Sequence, residues 1–222
     1  MILCLVTDRR RLGAALGAQP GECIGLLRDQ VAAAAAAGID YVQVREADLE
    51  AGDLANLIRD LMRAVGGSTT RLLVNDRVDV ALAAGASGVH LREASFLPAQ
   101  VRSITPKGFI ISCAVHTSAS AIARKSADLL IAGTVLPTAS KPTVDYLNKA
   151  GFEAIVRAAA GTPVIGIGGL DLPSIPLLAA SCAVGMAAIG AFIPSTGEGI
   201  PQFVQKRVEG LRFAFDSASR RT

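Results

Sequence analysis

A chain of 222 residues with 51% hydrophobic side chains can bury a substantial core, and at roughly 100–200 residues per domain it makes one large domain or two small ones. Its 22 basic and 19 acidic residues leave a charge of only +3, and 4% aromatics without tryptophan supply neither the basic stripe nor the stacking platforms of a nucleic-acid binder. Every apolar run is broken before the roughly 18 residues a membrane helix needs. Nucleic acid and membrane are thereby excluded as partners, and the absence of a basic n-region or cleavage site near Met1 points to a cytoplasmic, bacterial-type enzyme.

The first predicted strand, 2–6, is followed by Thr7-Asp8-Arg9. A helix over 24–37, with Gly38 as its stop signal, leads to a strand over 41–44, and a helix over 49–65 with Leu54, Leu57, Ile58 and Leu61 on one face leads to a strand over 71–74. Further apolar runs at 88–91, 109–112, 128–132, 162–166 and 184–189 bring the strands to eight, and small residues at the helix-to-strand seams allow close packing. A closing helix over 202–215 carries Phe203, Val208, Leu211 and Phe215 at helical spacing, with 217–222 expected to fray. Continuous apolar strands alternating with helices are the parallel-sheet pattern, and eight units favour an α/β fold of the closed (β/α)8 TIM-barrel type in one domain over 1–222. The rival is an open doubly wound sheet, against which stands the absence of Gly-x-Gly-x-x-Gly after the first strand. Cys4, Cys23, Cys113 and Cys182 lie too far apart for a zinc pair and are expected as buried free thiols.

Barrel active sites lie at the C-terminal ends of the strands, which here carry Thr7 and Asp8, Gln43 and Arg45, Asn75 and Asp76, Arg92 and Glu93, and Ser112 and His116. Thr134, Thr138, Ser140 and Lys141 follow the sixth strand, Gly168 and Gly169 the seventh, and Gly190 the eighth. The glycines either make tight turns or offer bare N–H groups to a phosphate. The loop containing Thr138, Ser140 and Lys141, between Pro137 and Pro142, is either an exposed polar turn or a polyphosphate cradle of hydroxyls and one ammonium. Gln43 and Arg45 alternate onto one strand face and either enter the mouth or leave Arg45 in an ion pair with Asp76. Asp76 is either a Mg²⁺ ligand or the N-cap of the next helix. His90 reads as a core or lumen histidine and His116 as the more exposed of the two.

Several pieces in this order resemble thiamine phosphate synthase and its relatives, including the thiazole tautomerase group called TenI. They are Gln43-Val44-Arg45-Glu46 with Asp48, the block Val74-Asn75-Asp76-Arg77-Val78-Asp79 leading to Gly88-Val89-His90-Leu91, His116-Thr117, Pro137-Thr138-Ala139-Ser140-Lys141 and Ile165-Gly166-Ile167-Gly168-Gly169. The resemblance covers nearly the whole chain and implies a (β/α)8 barrel in thiamine biosynthesis. Its transferase members join a pyrimidine pyrophosphate to a thiazole phosphate with Mg²⁺ assistance and release pyrophosphate. Carried over by position, Gln43 and Arg45 would hold pyrophosphate, and Asn75 and Asp76 the pyrimidine diphosphate and its metal. Thr138, Ser140 and Lys141 would take the leaving group, His116 would contact substrate, and Gly168, Gly169 and Gly190 would bind the thiazole phosphate. Arg45, Lys141 and Asp76 would carry the catalysis.

The chain departs from that pattern twice. Ala47 stands where the synthase has lysine, and Leu91-Arg92-Glu93-Ala94-Ser95 stands where it has Leu-Gly-Gln, an acid and a metal-binding aspartate. Asp76 alone matches the metal-binding pair, which implies weak, substrate-dependent Mg²⁺ or none. The segment ending Ser95-Phe96 looks more like the tautomerase group, yet Thr134 replaces that group's acid/base histidine. A synthase-like transferase, a TenI-like isomerase and a catalytically weak phosphate-binding relative all stay open, as does a homo-oligomer.

Overall fold

The computed structural model describes residues 1–138 and 146–220. Eight parallel strands close into a barrel in sequence order, β1(Ile2–Val6), β2(Tyr41–Val44), β3(Arg71–Asn75), β4(Gly88–Leu91), β5(Ile110–Val115), β6(Leu129–Gly133), β7(Val164–Ile167) and β8(Gly185–Ala188), with β8 pairing back onto β1. The (β/α)8 barrel expected from the apolar periodicity is the observed architecture. Its outer shell is built from α1(Arg9–Leu16), α2(Cys23–Ala36), α3(Ala51–Ala64), α4(Val78–Ala83), α5(Pro98–Arg102), α6(Ser118–Ala123), α7(Asn148–Ala158), α8(Ile175–Ala180) and α9(Ile200–Ser219). None of the described helices is long and apolar enough to cross a membrane.

Side chains alternate across each strand, which divides the apolar residues into two bodies. Leu3, Leu5, Val42, Val44, Leu72 and Val74 point outward into a continuous core shared with Leu27, Val31, Leu57, Ile58 and Leu61 of the helices. Cys4, Val6, Leu129, Ile131, Ile165 and Ala187 point inward and pack the lumen on the β1, β6, β7 and β8 side. The same inward alternation on β2 to β5 presents polar groups instead: Gln43, Asn75 opposite His90, and His90 opposite Ser112. The lumen therefore has an apolar half and a polar half.

Several expected boundaries move. β5 continues through Cys113, Ala114 and Val115 because Leu91 and Ala132 on its neighbours still pair with it there. α9 stays helical through Ser219, past the expected fraying point, with Val204, Val208 and Leu211 buried in the outer core and Phe215 packed against it. Cys4, Cys23 and Cys113 are buried free thiols as expected, but Cys182 is exposed, on a turn where its φ is +58°. Asp76 is not a helix cap: Arg77 holds that position before α4, without a side-chain cap, and Asp76 adopts φ +56°. Aspartate tolerates that left-handed conformation better than most residues, and it turns the carboxylate away from α4.

Candidate active site

Two loops at the C-terminal ends of β1 and β2 are locked together first. The Thr7 hydroxyl donates to Glu46 Oε1 at 2.7 Å and accepts the Arg45 N–H at 2.9 Å. Arg9 donates through Nη1 to Glu46 Oε2 at 2.7 Å and to Asp48 Oδ1 at 2.7 Å, and through Nη2 to Asp48 Oδ2 at 2.6 Å. Glu46 and Arg9 are nearly buried, so this is a charge pair whose remaining lone pairs and protons are satisfied. The hydrogen bonds from Arg9 hold the Asp48 carboxyl down at about 2. The acids of the Arg45-Glu46-Ala47-Asp48 segment thus fix the backbone from which Arg45 projects, and only Arg45 and Ala47 of that segment face the cavity.

That cavity, about 760 Å³, opens at the C-terminal ends of the strands. On its polar floor Gln43 Nε2 donates to Asn75 Oδ1 at 2.9 Å, while Gln43 Oε1 is buried with no hydrogen-bond partner among the described residues. His90 Nδ1 lies 2.9 Å from Ser112 Oγ, and burial pushes the imidazole down to about 4, opposed by the charge of Asp76 and aided by that of Arg45. His90 is accordingly a neutral lumen histidine on the cavity wall.

The rim above this floor is cationic. Arg45 lines the cavity and forms no ion pair with a described carboxylate, so the expected alternative of an Arg45–Asp76 pair is not what forms. Asp76 instead accepts the Nε–H of Arg92, the Arg92 main-chain N–H at 3.3 Å, and the Ser95 hydroxyl. Burial works against its ionisation, but these donors outweigh it and hold the carboxyl below its usual range. Arg92 lines the cavity and Asp76 does not, because the guanidinium lies across it. Beside them His116 Nδ1 sits 2.7 Å from Glu93 Oε2, and both residues face the cavity.

Mg²⁺ requires near-octahedral oxygen ligands and one or two free carboxylates. Around Asp76 the second acid is a serine, both carboxylate oxygens already accept hydrogen bonds, and a cation covers them. No group of three or more His, Cys, Asp or Glu among the described residues could hold a metal ion. These side chains, so arranged, do not fit Mg²⁺.

The opposite end of the cavity is lined by Gly168, Gly169 and Gly190. Gly168 and Gly169 have φ of +98° and +67°, and a Cβ on either would lie 2.5 Å from Thr134 or from the Pro137 carbonyl. Their N–H groups, like that of Gly190, donate to no other described residue. A residue overlooked in the sequence completes this end. Asp8 caps α1 by accepting the Arg11 N–H at 3.0 Å, and the Arg11 guanidinium reaches across to Gly190, where a Cβ would lie 3.0 Å from Nη2. Arg11 has no acidic partner among the described residues. Its only signal in the sequence was its place in the basic run after Asp8. Thr138 lines the cavity, and Ser140 and Lys141 lie outside the described residues.

The chain that builds this glycine-lined cavity with its guanidinium rim matches a known family model, "Thiamine monophosphate synthase", over residues 14–192. The chain belongs to the thiamine monophosphate synthase family. Within it, the chain is 37% identical over 198 residues to a putative thiamine-phosphate synthase of Geobacter sulfurreducens, covering 86% of each protein. It is 35% identical over 170 residues to a thiamine-phosphate synthase of Methanoculleus marisnigri, covering 75% of this chain and 78% of that one. Among solved structures, a thiamine phosphate pyrophosphorylase from Pyrococcus furiosus superposes with a TM-score of 0.77 at 26% identity, covering 98% of this chain and 96% of that one. For a member of the thiamine monophosphate synthase family, the covering of Asp76 by Arg92 is the feature of this site that the motif order did not foreshadow.

Proposed function

We propose that this protein joins a pyrimidine pyrophosphate to a thiazole phosphate and releases pyrophosphate. The observation that carries the reading is a single cavity with N–H donors at both ends, the guanidiniums of Arg45 and Arg92 at one and Gly168, Gly169, Gly190 and Arg11 at the other. In the reaction the bond between the pyrimidine methylene and the diphosphate oxygen breaks with its electron pair leaving on pyrophosphate. The thiazole ring nitrogen then supplies the pair that forms the new C–N bond, so no proton need move. The rim guanidiniums stabilise the charge that accumulates on the departing pyrophosphate, the kind of term that usually dominates such catalysis. Gln43 serves the pyrimidine, since one of its amide N–H bonds is engaged by Asn75 and Oε1, without a partner among the described residues, suits an amino group. The glycine N–H groups and Arg11 hold the thiazole phosphate and set the nitrogen toward the methylene.

The test is incubation with both substrates, with and without Mg²⁺, following pyrophosphate and thiamine phosphate. The expected result is equal release of the two products, dependent on both substrates. A second reading rests on the Glu93–His116 pair, a carboxylate orienting an imidazole inside the cavity, which is an arrangement suited to moving a proton on a thiazole carboxylate or phosphate. Isomerisation of the thiazole without transfer would establish that reading and overturn the first, and binding without any turnover would overturn both.

A further inference from the structure

The thiamine monophosphate synthase resemblance leads one to expect a divalent cation over Asp76, and a side chain holds that place. We infer that the Arg92 guanidinium replaces the metal ion and that this protein receives the diphosphate of its substrate without Mg²⁺. The inference rests on the synthase reading for the identity of the anion.

Charge supports the exchange. A divalent cation between two carboxylates is locally neutral, and so is one guanidinium on the single carboxylate left when serine stands at position 95. Hydrogen bonding supports it as well. Only Nε of Arg92 is engaged, by Asp76, which leaves the four N–H bonds of Nη1 and Nη2 without a described partner. A guanidinium anchored through Nε presents its terminal fork outward, the geometry that grips two phosphate oxygens at once. Position supports it too: the Arg92 side chain is 70% exposed and lines the cavity, whereas that of Asp76 is 13% exposed and does not line it. Asp76, Ser95 and the Arg92 main-chain N–H therefore act as an anchor that aims a permanent cation. Arg45, in the loop just after β2, adds a second fork to the same cavity.

The probe is inorganic pyrophosphate, titrated calorimetrically into the full chain in excess EDTA. The wild type is expected to bind it there. Arg92→Gln, a change at an exposed side chain, should weaken that binding at least tenfold, and Arg92→Lys, which keeps the charge without the fork, should fall between. The double substitution Arg92→Gly with Ser95→Asp should reverse the dependence: pyrophosphate bound only with Mg²⁺, and Mn²⁺ bound directly in a paramagnetic titration where the wild type binds none. Wild-type binding of pyrophosphate only with Mg²⁺, Mn²⁺ bound by the wild type, or an unchanged affinity in Arg92→Gln would each overturn the inference. An inactive protein that binds pyrophosphate in EDTA would overturn the synthase reading alone, and an active one that requires Mg²⁺ would overturn the metal replacement alone.

Discussion

Arg11 and Gly169 sit at the same end of the cavity, yet they are unequal probes of it. Gly169 has φ +67° and its missing Cβ would strike the Pro137 carbonyl, so any side chain there disturbs the loop whatever ligand is offered. Arg11 is exposed and has no acidic partner to orphan among the described residues. Replacing it with alanine should weaken a phosphorylated thiazole roughly ten- to a hundredfold, the scale of one charged hydrogen bond, and leave the dephosphorylated alcohol unaffected; equilibrium binding of the two ligands checks this, and equal losses would show that Arg11 only supports the fold. At this scale the sequence was legible for groups whose position follows from strand alternation, such as Gln43, Asn75 and His90. It was not legible for Arg11, whose target lies on the loop after β8, nor for the Arg92–Asp76 pair, which depends on a left-handed turn that no residue pattern announces.

Among the elements, glycines divide by what surrounds them. A Cβ on Gly88 would come within 2.1 Å of the Ile110 carbonyl, and on Gly185 within 1.8 Å of the Ile2 carbonyl, so each lets two strands close up where the barrel is narrow. Gly25, on the exposed face of α2, meets nothing within 4 Å. Gly88→Ala should therefore destabilise the protein by about 1–3 kcal/mol, the usual cost of overpacking, whereas Gly25→Ala should stabilise it by roughly 0.8–1.0 kcal/mol through helix propensity; denaturant unfolding of the two variants decides the sign. The strands themselves were readable because burial on both faces writes a continuous apolar run. β5 outruns its apolar signal because Ser112 interrupts the run, and its length is fixed by the neighbours it pairs with. α9 outruns its apolar spacing at the C-terminal end because its last turn is polar and its register is set by the buried residues before it.

For the whole molecule, the polar half of the lumen carries a cost that pH exposes. His90 takes its proton near 4 when folded and near the ordinary 6.5 when unfolded. Its folded value being the lower, the unfolded chain binds the extra proton as the solution is acidified through that window, and stability should fall by up to about 3 kcal/mol. Unfolding free energies compared between neutral and mildly acidic buffer should show this loss in the wild type and a smaller one in His90→Gln; equal losses would place the acid sensitivity elsewhere. The same half of the lumen holds Gln43 Oε1, buried and without a partner among the described residues. A buried acceptor left without a donor costs roughly 1–3 kcal/mol, a cost the empty barrel already carries, so a ring that brings an N–H to it recovers what a ring without one leaves unrecovered. Replacing the pyrimidine's amino group by hydrogen should then cost affinity by about that one hydrogen bond, because the acceptor is as unpaired in the free protein as beside the altered ring. The barrel thus makes part of its choice among flat heterocycles in advance, as a hydrogen bond that folding leaves unmade and only the right ring completes.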